Sequence, residues 1–188
     1  MIEIVPYIEG WPDEFQAIAG RIRQGLGDLA LRIDHIGSTA VPGLAAKDII
    51  DVQVTVAALA EPVESAMAEV GYVRLREISK DHAPAGAAGP DTDWEKWYFT
   101  APEGQRRTNT HVRVAGSANQ RYPLLFRDYL RAHPATAAAY AELKRRLAAG
   151  LADPDDYPDV KDPAVDLIYL AAVGWAKEVG WQQQPTDI

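Results

Sequence analysis

Phe15, Ile18, Ile22 and Leu26 recur at helical spacing and predict a first helix. It should begin near Pro12, where proline suits the first helical position and Asp13 and Glu14 complement the positive helix end. Gly27 marks its stop. The period then changes. Residues 29–36 alternate and read as a strand, and 48–56 (DIIDVQVTV) form the strongest strand signal, β-branched and bounded by polar residues. Between them, 37–46 carries Gly, Ser, Thr and Pro and reads as a loop with one short helical turn. Helix returns over 61–70 and a strand over 71–78, while 80–93 has no period and reads as a mobile loop. Residues 94–100 and 106–114 predict a hairpin joined through PEGQ. Three helices follow. Tyr122, Leu125, Phe126 and Tyr129 mark the first, Tyr140, Leu143 and Leu147 the second. The third carries Val165, Ile168, Ala172, Trp175 and Val179, with Asp162 as N-cap and Pro163 at its first position. The tail after Trp181 is polar and expected to fray. Neither repeat nor linker breaks this order. The expectation for 1–188 is one α/β (α+β) domain, a mixed β-sheet with helices packed on it and a helical C-terminal third.

Composition narrows the function classes. A formal net charge of -8 argues against broad nucleic-acid binding but leaves room for a small basic pocket. Zero cysteines exclude disulfides, zinc–thiolate sites and thiol nucleophiles. The start, MIEIVPYIEGW, lacks a basic region followed by an apolar run, and no stretch approaches the roughly 20 apolar residues of a membrane span. The expected location is the cytoplasm, with no membrane partner.

The chemistry concentrates in residues 33–56, IDHIGSTAVPGLAAKDIIDVQVTV. A strand ends in Gly37–Ser38, a short loop follows, and a second strand carries Asp51. Glycine lets backbone N–H groups approach a ligand, serine adds a rotatable donor, and such a turn suits a phosphate. Asp51 and Gln53 are two apart and share one strand face, as do His111 and Arg113 in NTHVRV. The competing reading is a tight turn beside a buried strand.

This arrangement resembles the nucleotidyltransferase superfamily, in which a Gly-Ser turn precedes a strand bearing two alternating carboxylates. That resemblance implies divalent metal held against a nucleotide triphosphate, with a third acid on a neighbouring strand. Here Asp51 stands at the first acid, Gln53 at the second, and Arg113 at about the third. A closer resemblance is to the GrpB family, assigned to that fold. It is carried by YIEGWPDEF, HIGSTAVPGLAAKDIIDV, NTHVRVAGS, LLFRDYLRAHPATAAAYAELKRRLA and KDPAVDLIYLAAVGWA, nearly the whole chain. The family supplies no settled activity. Some members are joined to dephospho-coenzyme A kinase, which points to a nucleotide-related role.

Lys47, Lys144 and Lys161 stand where the family motifs place lysine, and Lys161 precedes the expected helix start. The candidate ligand-binding set is therefore Gly37, Ser38, Lys47, Gln53, His111, Arg113, Lys144 and Lys161, around a phosphorylated small molecule or nucleotide. Asp51 is the candidate catalytic residue and the one carboxylate left for magnesium, whose usual ligand set is otherwise missing. Arg113 would repel a cation, pair with Asp51, or bind an anion directly. His35, His111 and Asp51 would make a zinc set, although no HxH or HExxH spacing supports one. Lys96, Arg106 and Arg107 are candidates for the pocket rim, and Trp94, Trp97, Tyr98 and Phe99 for the core. Three functions remain open: a metal-dependent nucleotidyltransferase using Asp51, a non-catalytic binding or regulatory module, and a pure interaction protein.

Overall fold

A computed structural model describes residues 2–84, 86–87 and 89–188. Strands β1 (Ala30–Ile36), β2 (Ile50–Val56), β3 (Val73–Arg74), β4 (Trp97–Thr100) and β5 (Thr108–Val114) form one sheet in the order β1-β2-β5-β4-β3. β2 and β5 run parallel, and every other neighbouring pair is antiparallel. The helices are α1 (Trp11–Leu26), α2 (Glu61–Glu69), α3 (Ala118–Ala132), α4 (Pro134–Gly150) and α5 (Tyr157–Val179). The expected class, a mixed sheet carrying helices with a helical C-terminal third, is the one observed.

The period of two in β2 sorts its residues between two layers. Ile50, Val52, Val54 and Val56 are fully buried in a core shared with Trp11, Phe15 and Ile22 of α1 and with α2. Asp51, Gln53 and Thr55 point to the opposite face. A second core holds the C-terminal helices together there, built from Leu44, Leu125, Leu130, Tyr140, Ala172 and their neighbours. The polar face of the sheet thus lies between strands and α3–α5, a place where buried polar groups must find partners or ligands.

Several boundaries differ from expectation. The strand read over 71–78 shrinks to the two residues of β3, because only Val73 and Arg74 find ladder partners on β4. Trp94 belongs to a 3-10 turn, Asp91–Trp94. Helix α5 begins at Tyr157, with Pro158 in its first turn, so Asp162 and Pro163 lie inside it and Lys161 follows its start. Pro158 meets the same steric rule as Pro163 one turn earlier. The loop read over 80–93 includes Ala85 and Ala88, which lie outside the described residues. Its Lys80 bridges to Glu95. The tail does not fray. The Ile188 amide donates to the Ile33 carbonyl at 3.2 Å, and the His35 amide donates to Asp187 Oδ2 at 2.8 Å, so the tail covers the free edge of β1.

Candidate functional site

Gly37 closes β1 with φ 70°. A Cβ there would lie 2.1 Å from Asp51 Oδ2, so only glycine lets this turn touch β2. One 3-10 turn, Ser38–Ala40, follows. Ser38 Oγ accepts from Lys144 Nζ at 2.8 Å, and the same amine donates to the Ala45 carbonyl at 2.5 Å. Lys144 sits one helical turn after Tyr140 on α4, with its Nζ 4.7 Å from the centre of that ring. Burial, reinforced by the charge of Lys161, pushes the Lys144 amine down to about 7, although Asp51 pulls the other way.

Strand pairing brings Asp51 beside Asn109 and Gln53 beside His111, all on the face opposite α1. Asn109 Nδ2 donates to Asp51 Oδ1 at 2.7 Å, and the Tyr98 hydroxyl donates to Asn109 Oδ1 at 2.6 Å. Burial raises the Asp51 pKa; the Asn109 hydrogen bond and the charge of Lys161 oppose it without cancelling it. His111 has a buried Nδ1 with no partner and meets the Tyr98 ring edge-on. Burial, then Arg113 and Lys96, hold its pKa well below the ordinary imidazole value, so the ring is neutral.

Arg113 pairs with Asp81 rather than with Asp51. Its Nε and Nη2 fork onto the Asp81 carboxylate at 2.8 and 2.9 Å, and its Nη1 donates to Gln53 Oε1 at 2.8 Å. Lys96 Nζ and Asn119 Nδ2 complete the shell of Asp81 at 2.7 and 3.0 Å. Burial alone would raise the Asp81 pKa. Arg113 and Lys96 outweigh it and hold the carboxyl well below its usual range. The other end of the Gln53 amide donates to the Gln120 carbonyl at 3.0 Å.

These groups line a cavity of about 560 Å³ between the sheet face, α4 and α5. Five cationic side chains reach it, Lys47, Lys96, Arg113, Lys144 and Lys161, against three carboxylates, Asp51, Asp81 and Asp162. Lys47 holds its Nζ 4.0 Å from the Tyr157 ring centre, at the junction with a smaller cavity lined by Arg107. An excess of positive charge therefore gathers in one hollow of a chain whose net charge is -8.

Magnesium does not fit this donor set. A divalent ion of that kind wants several free oxygens in near-octahedral array. One Asp51 oxygen is taken by Asn109, the Gln53 oxygen by Arg113, and both Asp81 oxygens by two donors each. Among the described residues no three His, Asp or Glu side chains are grouped to hold a metal. The zinc set fails on geometry. His35 is paired with Val52 and stacks on Phe15 at 4.7 Å, so it lies on the α1 face, away from His111 and Asp51. Its Nε2 meets Thr39 Oγ1 at 3.0 Å, and burial, then the charges of Arg131 and Arg127, lower its pKa to about 3.

Ser38, Lys47, Asp51, His111, Arg113, Lys144 and Lys161 thus line one cavity, with Gly37 and Gln53 beneath it. Lys96 is in the site, whereas Arg106 pairs with Glu14 and Asp48 outside it. Of the aromatic cluster, Phe99 is core and Tyr98 faces the cavity. Sequence reading missed Asp81, Asn109 and Asn119. The period of two in NTHVRV would have offered Asn109; Asp81, in an aperiodic loop, carries no such signal.

The family described as GrpB protein matches residues 1–170. The crystal structure of conserved protein GrpB from Enterococcus faecalis superposes with a TM-score of 0.74 at 31% identity, covering 92% of this chain and 98% of that one. A protein from Mycolicibacterium paratuberculosis named dephospho-CoA kinase is 39% identical over 96% of this chain, and this chain spans 48% of its length. The UPF0157 protein PA4798 of Pseudomonas aeruginosa is 38% identical over 89% of this chain and 66% of its own length. The chain thus spans about half the length of the first of these relatives. No described helix is long and apolar enough to cross a membrane.

Proposed function

The chain belongs to the GrpB family, and from that premise we propose that its single domain binds a phosphorylated small molecule or nucleotide in the cavity beside Gly37 and Ser38. The observation that carries this reading is the convergence of five cationic side chains on one hollow of an acidic chain. Lys144, Lys161 and Ser38 supply the phosphate end, where amines with spare donors stand beside a serine hydroxyl. Arg113, engaged by Asp81 and Gln53, shapes the cavity floor and does not grip the ligand directly. Neutral His111 offers a hydrogen bond, and Asp51 accepts one from a ligand hydroxyl or amine. In this reading the site orients a ligand inside the cytoplasm without metal-assisted transfer. The relative named dephospho-CoA kinase makes coenzyme A precursors the first compounds to try. The same relative favours a second reading, a regulatory module acting beside that activity.

A thermal-shift screen of nucleotides, coenzyme A precursors and small phosphorylated metabolites tests the proposal. A binder at one hundred times its dissociation constant stabilises the fold by roughly 2.7 kcal/mol. No shift with any phosphorylated compound, alongside a shift with an uncharged one, would overturn it.

A further inference from the structure

Resting on this phosphate-pocket reading, we infer that the site takes its ligand as the metal-free anion, and that magnesium competes with the protein for the ligand. Polyphosphates in water commonly travel as magnesium complexes, so a site must either ligate the ion or displace it. Ligation is closed here. Gln53 and Arg113 occupy the positions where the superfamily likeness called for acids, and they bond to each other at 2.8 Å. The carboxylate nearest to Arg113, Asp81, has each oxygen held by two N–H donors. Asp51 has one oxygen held by Asn109 and the other against Gly37, and Asp162 of α5 lines the cavity without a hydrogen-bond partner, but among the described residues no three such groups come together to hold an ion.

Displacement is what the lysines provide. Lys47, Lys144 and Lys161 line the same cavity, and burial first, then the charge of Lys161, disfavours the charged form of each of the first two. An anion seated among them relieves that repulsion. A magnesium complex, with part of its charge already neutralised, relieves less of it and brings a hydrated cation towards amines that repel it. The amines do the work of charge compensation that a metal would otherwise do.

The test is calorimetric titration of the whole chain with inorganic pyrophosphate, in EDTA and in millimolar magnesium. The expected dissociation constant is at least about tenfold lower in EDTA. Lys161→Ala, a partly exposed position, should weaken binding in EDTA about tenfold and leave the melting temperature nearly unchanged. Binding as tight or tighter in magnesium overturns the metal-free inference while leaving the phosphate pocket standing. Failure of pyrophosphate to bind in either buffer overturns both, as does a Lys161→Ala protein that binds as the wild type does.

Discussion

Gly37 and Asp51 are in such close contact that the turn and the strand fix each other. Gly37→Ala would force a side chain into a left-handed conformation and against the Asp51 carboxylate. Urea unfolding should show a loss of about 2–4 kcal/mol, mostly from the clash. Arg113 and Asp81 depend on each other in the same way. Their side chains are only 6% and 17% exposed, so Arg113→Ala leaves a buried carboxylate with Lys96 and Asn119 alone. The expected cost is about 3 kcal/mol, at the low end for a broken buried pair because those two partners remain. An Arg113→Ala protein of wild-type stability would show that the pair is solvated. Lys144 gives a pH signature. Its folded pKa of about 7 lies below its ordinary 10.5, so between those values the unfolded chain holds a proton that the native chain has lost. Its contribution to stability therefore rises with pH across that window, and below about 7 the fold bears the full cost of the buried charge. Lys144→Met should flatten this rise in a series of melting curves. A bound anion favours the charged amine, so ligand binding near pH 8 should take up a proton, readable as buffer-dependent heat.

At the scale of elements, the tail makes the clearest case. Residues 186–188 lie along β1, where Thr186 Oγ1 accepts from the Ile33 amide at 3.0 Å and Asp187 receives both the His35 amide and Arg127. Removing residues 183–188 should raise amide exchange at Ile33 and His35 more than about tenfold, and unchanged protection would mean that the tail is not docked. Nothing in WQQQPTDI has a strand period, so this cap could not be read from sequence; it works through backbone groups and two short polar side chains. β2 and β5 were legible because period two and β-branching coincide there, and α1 because four apolar residues keep one face. α5 was misread at its start because Asp162–Pro163 satisfies the same capping rule as the true first turn. In the site, alternation puts Asp51 with Gln53 and His111 with Arg113 on shared strand faces, and the superfamily likeness sets the two strands side by side, as they are in the sheet. Asp81 was not legible, because it meets Arg113 across 32 residues through a loop without pattern.

For the whole molecule, the net charge of -8 and the cationic hollow act at different ranges. Acidic surface repels an anion from afar, while Lys47, Lys144 and Lys161 act on it within a few ångströms. Ligand affinity should therefore fall with salt, but less steeply than for a basic protein, and a steep fall would place the binding charges on the surface. The most direct test of a phosphate site beside Gly37 and Ser38 is a crystal structure with the compound that stabilises the chain most in the thermal screen. The expected result is a phosphoryl group within hydrogen-bond reach of Ser38 Oγ and Lys144 Nζ, with Lys161 drawn in and Arg113 still on Asp81. A ligand bound outside this cavity, or bound in it with its phosphate turned away from Lys144, would contradict the reading.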